Sequence, residues 1–227
     1  MPSQLLIFDL DGTLVDTSTQ VNEITAALLK NVGVTIQAAD IAALLPLNSL
    51  GAAPKIKGIA ELFKVDIPPL QLDQMAAQHE KRKQELYEQG NFHLFEGLGE
   101  CLAQLQKNFV LAIGSNSPST ASEQALKTAG LLSFFAGRIY GPDNTGGVSK
   151  PAPDVFIQAA SKCGFDALHA TVIGDSLTDL EAAVKAGMPC YIIMKADEDS
   201  AIRADYTAKG CAGFFASYDE FPDLGNQ

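Results

Sequence analysis

The stretch FDLDGT at residues 8–13 places two aspartates, Asp9 and Asp11, directly after the apolar run LLIF. Residues two apart in an extended chain point to the same side, so the two carboxylates would face one point from about 6 to 7 Å apart. Gly12 follows, and a glycine lets the backbone turn sharply or approach a ligand closely. Two carboxylates in this arrangement can divide nucleophilic and acid–base work at one reaction centre.

More polar side chains follow other apolar runs of the chain. They are Ser115, Asn116 and Ser117 after FVLAIG, Asp175 and Asp179 after TVIG, and Lys150 in the loop GPDNTGGVSKPAPD. In an open parallel sheet, ligands bind beyond the carboxyl ends of the strands. We therefore expect these side chains to meet Asp9 and Asp11 at one edge of a sheet.

Carboxylates clustered in this way need a counter-charge, because like charges at short range otherwise force some of them to protonate. A set of oxygen ligands favours Mg²⁺ over zinc, and Lys150 supplies a second positive charge. A phosphate group could then lie against Asp9, with Ser115 and backbone N–H groups as donors. A carboxylate could attack phosphorus in line and form an aspartyl-phosphate that water hydrolyses, while the second carboxylate transfers the proton.

The elements that must position these residues are short apolar runs alternating with helical patterns. Strands with two apolar faces, separated by helices, indicate a mostly parallel sheet in a Rossmann-like α/β core. The predicted strands are 5–9, 109–115, 137–141, 171–175 and 190–194, and the predicted helices are 119–129, 153–163 and 177–186.

The interval between residues 15 and 95 lacks this alternation, since it offers four helical patterns and no convincing strand. Its length far exceeds what one crossover between neighbouring strands needs. We therefore predict a discontinuous core, residues 1–14 and 95–227, interrupted by an all-helical cap domain at residues 15–94.

The composition restricts the class of partner. A formal net charge of −11 in 227 residues leaves no basic surface for nucleic acid. No apolar run approaches the roughly 20 residues that span a bilayer, and the start of the chain lacks a basic leader region. The four cysteines show no CxxC spacing and are expected as reduced thiols. These features predict a cytoplasmic protein that binds neither nucleic acid nor membrane. The polar cluster predicts a small phosphorylated metabolite as the partner, and the chain is expected as a monomer or homodimer.

Four short motifs follow one another along the chain in the order FDLDGT, IGSNS, SKPAPDVF and IGDSLTD. In these stretches the chain resembles the haloacid dehalogenase-like (HAD) hydrolase superfamily, in its phosphatase branch with a helical cap. It is also similar to phosphoglycolate phosphatase and β-phosphoglucomutase-like members in LVDT and DLEAAVKAGM. The resemblance implies a Mg²⁺-dependent phosphatase that works through an aspartyl-phosphate.

The resemblance also implies the roles of the acidic residues. Asp9 would be the nucleophile and a metal ligand. Asp11 would be the general acid/base and would touch the metal through its backbone carbonyl. Asp175 would be the second carboxylate on the metal, and Asp179 would orient the water shell of the metal. Either of the last two could also favour the start of the following helix, where acidic residues are stabilising.

The phosphate would be bound by residues from three of the stretches. The resemblance implies that Thr13 and Ser115, with Asn116 beside it, bind the phosphate oxygens. Lys150 would bridge the nucleophile and the phosphate, and would count with Asp9 and Asp11 among the catalytic residues.

Several alternatives stay open at the level of the sequence. A β-phosphoglucomutase-like sugar phosphomutase would carry the same motifs and return the phosphoryl group to its substrate. A phospho-accepting signalling protein or a non-catalytic phosphate-binding protein would use only part of the set. The remaining candidates are expected to be structural or solvated: Lys55 and Lys57 on a solvated face, and His79, His93 and His169 without metal-ligand spacing.

Overall fold

The computed structural model describes residues 4–44, 47–194 and 200–224. The chain forms two compact units, which we call the core unit (residues 1–16 and 93–227) and the helical unit (residues 17–92). Among the described residues, no helix has both the length and the apolar character needed to cross a bilayer.

The described strands form one large sheet and one small one. They are β1 (Gln4–Phe8), β2 (Val15–Asp16), β3 (His93–Leu94), β4 (Phe109–Gly114), β5 (Ile139–Tyr140), β6 (Ala170–Gly174), β7 (Cys190–Ile193) and β8 (Gly213–Phe215). Six of them pair in the order β5-β4-β1-β6-β7-β8, with every pair parallel. β2 and β3 form a separate antiparallel pair. The predicted α/β fold with a mostly parallel sheet is therefore confirmed.

The described helices of four or more residues divide between the two units. They are α1 (Ser18–Lys30), α2 (Ile41–Leu44), α3 (Ala52–Leu62), α4 (Pro69–Gln89), α5 (Leu98–Leu105), α6 (Ser119–Thr128), α7 (Leu132–Phe135), α8 (Asp154–Cys163), α9 (Leu177–Ala186) and α10 (Ser200–Ala208). The first four belong to the helical unit and the other six to the core unit.

Strand β1 lies at the centre of the large sheet and fixes where the first polar motif emerges. Its last residue, Phe8, lies opposite Ile113 of β4 and Ile173 of β6. The chain runs from β1 to one side of the sheet and later returns to the other side, which makes this end of β1 a topological switch point. Asp9 therefore leaves the sheet between the carboxyl ends of its two neighbours.

The core unit is held together by apolar side chains between the sheet and its helices. Leu5 and Ile7 of β1 cluster with Val172 of β6, Phe156 of α8 and Leu180 of α9, and all five are at most 1% exposed. Burying one such side chain contributes about 1.5 to 3 kcal/mol, so this cluster keeps the strand ends in fixed register.

The helical unit has a hydrophobic core of its own, in which Leu29, Ile56 and Ile59 are buried. Lys55 of α3 was predicted on a solvated face, and this prediction is wrong. Its side chain is 2% exposed and its Nζ donates to Oδ1 of Asn22 over 2.9 Å. The aliphatic stem of a lysine can pack among apolar residues when the ammonium reaches an acceptor.

The structure also differs from the predicted elements at short strands. Strand β8 was not predicted, and β2 and β3 lie at the two ends of the interval in which no strand was expected. β5 is limited to two residues, where five were predicted. Whether so short a segment forms a strand depends on its pairing with neighbouring strands. A run of two or three residues in the sequence does not reveal that pairing.

Candidate active site

The motif residues of the core unit meet at the carboxyl end of the sheet. Asp9 follows β1, Ser115 follows β4, Asp175 follows β6, and Lys150 lies in the loop before α8. We call residues 9–13 the β1 loop. The ion pairs, hydrogen bonds and acidic cluster described next connect these segments, and they all lie within the core unit.

Lys150 is the charged centre of the site. Its Nζ lies 2.7 Å from Oδ1 of Asp9 and 2.6 Å from Oδ1 of Asp179, and it donates to the carbonyl oxygen of Gly114 over 3.1 Å. The residue is only 3% exposed. Burial by itself would lower the pKa of this lysine, but the two carboxylates outweigh it and raise the pKa. Three acceptors thus satisfy the three donors of one buried ammonium.

Three carboxylates could hold a metal ion beside this lysine. One oxygen from each of Asp9, Asp175 and Asp179 lies within 4.8 Å of the others. Burial raises the pKa of Asp9 to about 7, with Lys150 opposing this and the Asp179 charge adding to it. Burial, and then the charges of Asp179 and Asp9, raise the pKa of Asp175 well above its usual value. These carboxyl groups ionise fully only when more positive charge is near, and they offer only oxygen atoms as ligands. Both properties fit a hard divalent cation.

Asp179 has a second task besides its contact with Lys150. Its Oδ2 accepts hydrogen bonds from the backbone N–H of Ser176 over 3.2 Å and from the Ser176 hydroxyl over 2.5 Å. The two residues form a capping box at the start of α9. Asp179 therefore holds both the start of α9 and the ammonium of Lys150. It caps the helix, as one alternative from the sequence predicted, and it also belongs to the acidic cluster.

Asp11 lies further along the β1 loop and contacts Ser117, a residue that was expected at this edge of the sheet without a specific role. The Ser117 hydroxyl donates to Oδ2 of Asp11 over 3.4 Å, while the Ser117 backbone N–H donates to Oγ of Ser115 over 3.0 Å. Between the aspartates and Thr13, Gly12 has φ +79°, and a Cβ there would lie 2.1 Å from Oδ2 of Asp175. The loop therefore requires a glycine at this position both for its conformation and for space.

The expected phosphate ligands are buried around the same point. Thr13 is fully buried, with its Oγ1 3.4 Å from Oδ1 of Asp175, and Ser115 is 1% exposed. The Asn116 side chain is used differently: its Oδ1 accepts from the Lys150 backbone N–H over 2.7 Å and its Nδ2 donates to the Lys150 carbonyl over 3.2 Å. The carboxamide of Asn116 thus holds the Lys150 loop.

Three residues at the site received no specific role from the sequence. Ser176 carries a local signal, because a serine three residues before an acid is typical of a capping box. Ser117 follows the same predicted strand as Ser115, which is the only signal for its place at the site. Tyr218 carries none in the sequence. Its buried hydroxyl donates to the Thr13 carbonyl over 2.8 Å across 205 positions of the chain.

Comparisons with known proteins agree with this geometry. A family model described as haloacid dehalogenase-like hydrolase matches residues 4–187. The phosphoglycolate phosphatase of Agrobacterium fabrum is 30% identical over 196 residues, covering 82% of this chain and 78% of that protein. The N-acetylmuramic acid 6-phosphate phosphatase of Pseudomonas putida is 29% identical over 188 residues, covering 82% and 81%.

Solved structures show the same fold. A HAD family hydrolase from Deinococcus radiodurans, crystallised with bound phosphate and sodium, aligns with a TM-score of 0.69 and 26% identity over 96% of this chain and 93% of that one. The expected resemblance and the expected enzyme class, a phosphoric monoester hydrolase, are confirmed. With a family model covering most of its length and the motif residues gathered at one edge of the sheet, the chain belongs to the haloacid dehalogenase-like hydrolase family.

Proposed function

We propose that this protein is a Mg²⁺-dependent phosphatase that hydrolyses a small phosphorylated metabolite through an aspartyl-phosphate. The observation that carries the proposal is the buried ion pair of Asp9 with Lys150, set in a cluster with Asp175 and Asp179. A carboxylate whose position is fixed by an ammonium at the end of a central strand is suited to attack a phosphate held in front of it.

Asp9 is the nucleophile in this proposal. Its backbone N–H donates to the Ile173 carbonyl over 2.8 Å, which fixes the residue against β6, and its Oδ1 is held by Lys150. The raised pKa of Asp9 means that positive charge must favour its ionised form. Mg²⁺ bound by Asp9, the Asp11 carbonyl and Asp175, with Asp179 supporting its water shell, would supply that charge and neutralise the phosphate oxygens.

Asp11 is the proposed general acid and base. It first protonates the leaving oxygen of the ester and later takes a proton from the water that hydrolyses the aspartyl-phosphate. The hydrogen bond from Ser117 limits the rotamers of the Asp11 side chain. Ser117 is therefore a positioning residue in this scheme.

The phosphate oxygens would be bound by the hydroxyls of Thr13 and Ser115, and the ammonium of Lys150 would add positive charge beside them, with a phosphate oxygen taking the place of one of its present acceptors. These donors come from three segments that the sheet and the Asn116 contact hold in place. Because its carboxamide is bonded to the Lys150 backbone, we assign the predicted phosphate contact of Asn116 to its backbone N–H. Donors fixed before the reaction stabilise developing charge without reorganisation.

The substrate class follows from what the relatives share. One is named for phosphoglycolate and another for N-acetylmuramic acid 6-phosphate, so their substrates differ in the organic part and share a phosphate ester. For this protein we therefore propose only that the substrate is a phosphate monoester, without naming its organic part. The cap role of residues 15–94, the cytoplasmic location and the oligomeric state stay predictions.

The test is a screen of metabolite phosphates and 4-nitrophenyl phosphate, with and without Mg²⁺, that measures inorganic phosphate. We expect release that depends on Mg²⁺ and is lost in Asp9→Asn, while Asp205→Asn, an exposed acid outside the site, keeps the wild-type rate. Wild-type turnover by Asp9→Asn would contradict the assignment of the nucleophile. Conversion of a hexose 1-phosphate to its isomer without net phosphate release would identify a phosphomutase instead.

A further inference from the structure

Residues 215–221, which we call the aromatic segment, contact the β1 loop at both of its ends. The Phe221 ring stacks on the Phe8 ring, with centroids 6.4 Å apart and an interplanar angle of 28°. The Tyr218 hydroxyl donates to the Thr13 carbonyl over 2.8 Å. Phe8 immediately precedes Asp9, and Thr13 ends the loop, so one segment fixes the backbone on either side of the two aspartates.

The Tyr218 hydroxyl has a fixed position because its ring is surrounded by other rings. Phe215 meets it edge-on at 5.6 Å, Phe221 is stacked on it at 6.1 Å with an angle of 9°, and Phe95 lies at 6.4 Å. The residue is 3% exposed. Aromatic pairs in these geometries are attractive beyond their buried area, so the ring has little freedom to move its hydroxyl.

The hydroxyl is also restricted to the role of donor toward Thr13. Burial raises the pKa of Tyr218 well above its usual value, so the hydroxyl keeps its proton. Thr13 is fully buried, and a buried carbonyl that loses its donor pays the full cost of its desolvation. The Thr13 hydroxyl in turn lies 3.4 Å from Oδ1 of Asp175, which connects the aromatic segment to the acidic cluster.

A third contact of the aromatic segment involves Asp219. The Asp219 carboxylate occupies the space beside Gly97, where a Cβ would lie 2.5 Å from Oδ1. Gly97 has φ +76° and immediately precedes α5. The segment is thus fixed to the rest of the core unit by packing as well as by the hydrogen bond to the loop.

We propose that Tyr218 is a positioning residue for the phosphoryl-transfer site, acting through its hydrogen bond to Thr13 on the β1 loop. Tyr218 lies outside residues 4–187, which the family model matches, so the family assignment does not supply this role. The catalytic consequence rests on the proposed phosphatase function, whereas the order of the loop can be measured without any activity.

The experiment compares Tyr218→Phe with Tyr140→Phe, because each variant removes one tyrosine hydroxyl and keeps the ring. Tyr140 is 9% exposed, and its hydroxyl lies 3.9 Å from Sγ of Cys163 in α8. The first readout is kcat for 4-nitrophenyl phosphate with Mg²⁺ at a temperature where all proteins are folded. The second is hydrogen exchange of the loop amides without substrate.

We expect Tyr218→Phe to lower kcat by about tenfold, since small displacements of reacting groups have effects of this size or larger. The loop amides to be followed are Gly12 within the β1 loop and Leu14 and Val15 directly after it, whose hydrogen bonds close the loop, and they should exchange faster in this variant. Exchange in α9 should stay at the wild-type rate. Tyr140→Phe should leave kcat and the loop amides unchanged.

Wild-type kcat together with wild-type loop exchange in Tyr218→Phe would overturn the proposal. Faster exchange throughout the core unit would also overturn it, because that result describes general destabilisation. If the wild-type protein releases no phosphate from any substrate, the proposed function fails, and loop exchange alone decides the role of Tyr218. Should Tyr218→Phe not fold, Phe221→Leu replaces it, and unchanged loop exchange in that variant would refute the proposal.

Discussion

Lys150 shows why single residues of this site cannot be understood apart from their partners. The ammonium of Lys150, a residue that is 3% exposed, is stable only because Asp9, Asp179 and the Gly114 carbonyl accept its hydrogen bonds. Removing one partner of a buried ion pair leaves a charge without compensation, which costs about 3 to 5 kcal/mol. The same contacts that permit this burial fix the carboxylate of Asp9.

The acid role of Asp11 can be tested at the scale of the residue. Asp11→Asn should lower kcat for an alkyl phosphate by at least about a hundredfold. With 4-nitrophenyl phosphate the loss in the first, phosphorylating step should be small, since this leaving group needs no proton. Stopped-flow measurement of the nitrophenolate burst separates the two steps. An equal loss of the phosphorylation rate with both substrates would count against an acid role for Asp11.

At the scale of elements, the site depends on loops from different strands that hold one another. The Asn116 carboxamide, after β4, bonds to both backbone groups of Lys150, before α8. Asp179 connects the first turn of α9 to the same lysine. The loop that carries Lys150 is therefore held by side chains from two other segments of the chain.

The contact between the Asn116 carboxamide and the Lys150 backbone can be tested by substitution. Asn116→Ala removes both hydrogen bonds and should lower kcat by about ten- to a hundredfold through displacement of Lys150. The control is Asn144→Ala, which lies in the same loop between β5 and α8. This variant removes the hydrogen bond that the Gly141 N–H donates to the Asn144 side chain over 2.9 Å, and it should keep the wild-type kcat. Steady-state kinetics of both variants with 4-nitrophenyl phosphate decide the matter. Equal kcat in both variants would show that the carboxamide does not position Lys150.

The sequence predicted those elements whose signal is local. Helix α9 carries Ser176 at its start and Gly187 at its end, and both capping residues behave as their types suggest. Strand β8 and the contact of Tyr218 with Thr13 were not predictable in this way, because they depend on pairing or contact between distant segments. Lys55 was wrongly predicted as solvated for the same reason, since its burial is decided by neighbours in space.

For the whole molecule, the acidic cluster makes stability depend on pH and on cations. The pKa of Asp9 is raised to about 7, so near pH 5.5 the folded protein holds a proton that the unfolded chain releases. This contribution to stability is fully present below the ordinary pKa of an aspartate and is lost as the pH rises through 7. Asp175 shifts in the same direction. A bound divalent cation should offset the loss at higher pH.

We therefore expect Mg²⁺ to raise Tm more at pH 8 than at pH 5.5, because at the lower pH the cation competes with protons. Asp175→Asn should reduce the rise at pH 8, whereas Asp143→Asn, a change at an acid bonded to Ser119 outside the cluster, should not. Thermal unfolding with and without Mg²⁺ measures the rise in Tm for the wild type at both pH values and for each variant at pH 8. A rise in Tm that is equal at both pH values would contradict binding by the carboxylates of this cluster.

The central claim is that the phosphoryl group is transferred to Asp9, and trapping the aspartyl-phosphate tests it most directly. Asp11→Asn should slow hydrolysis of this intermediate, so it should accumulate when the variant is mixed with 4-nitrophenyl phosphate and Mg²⁺. Borohydride reduces an aspartyl-phosphate to homoserine, which mass spectrometry of the peptide can locate. We expect homoserine at position 9 only. Turnover without homoserine at position 9, or homoserine at another aspartate, would contradict it.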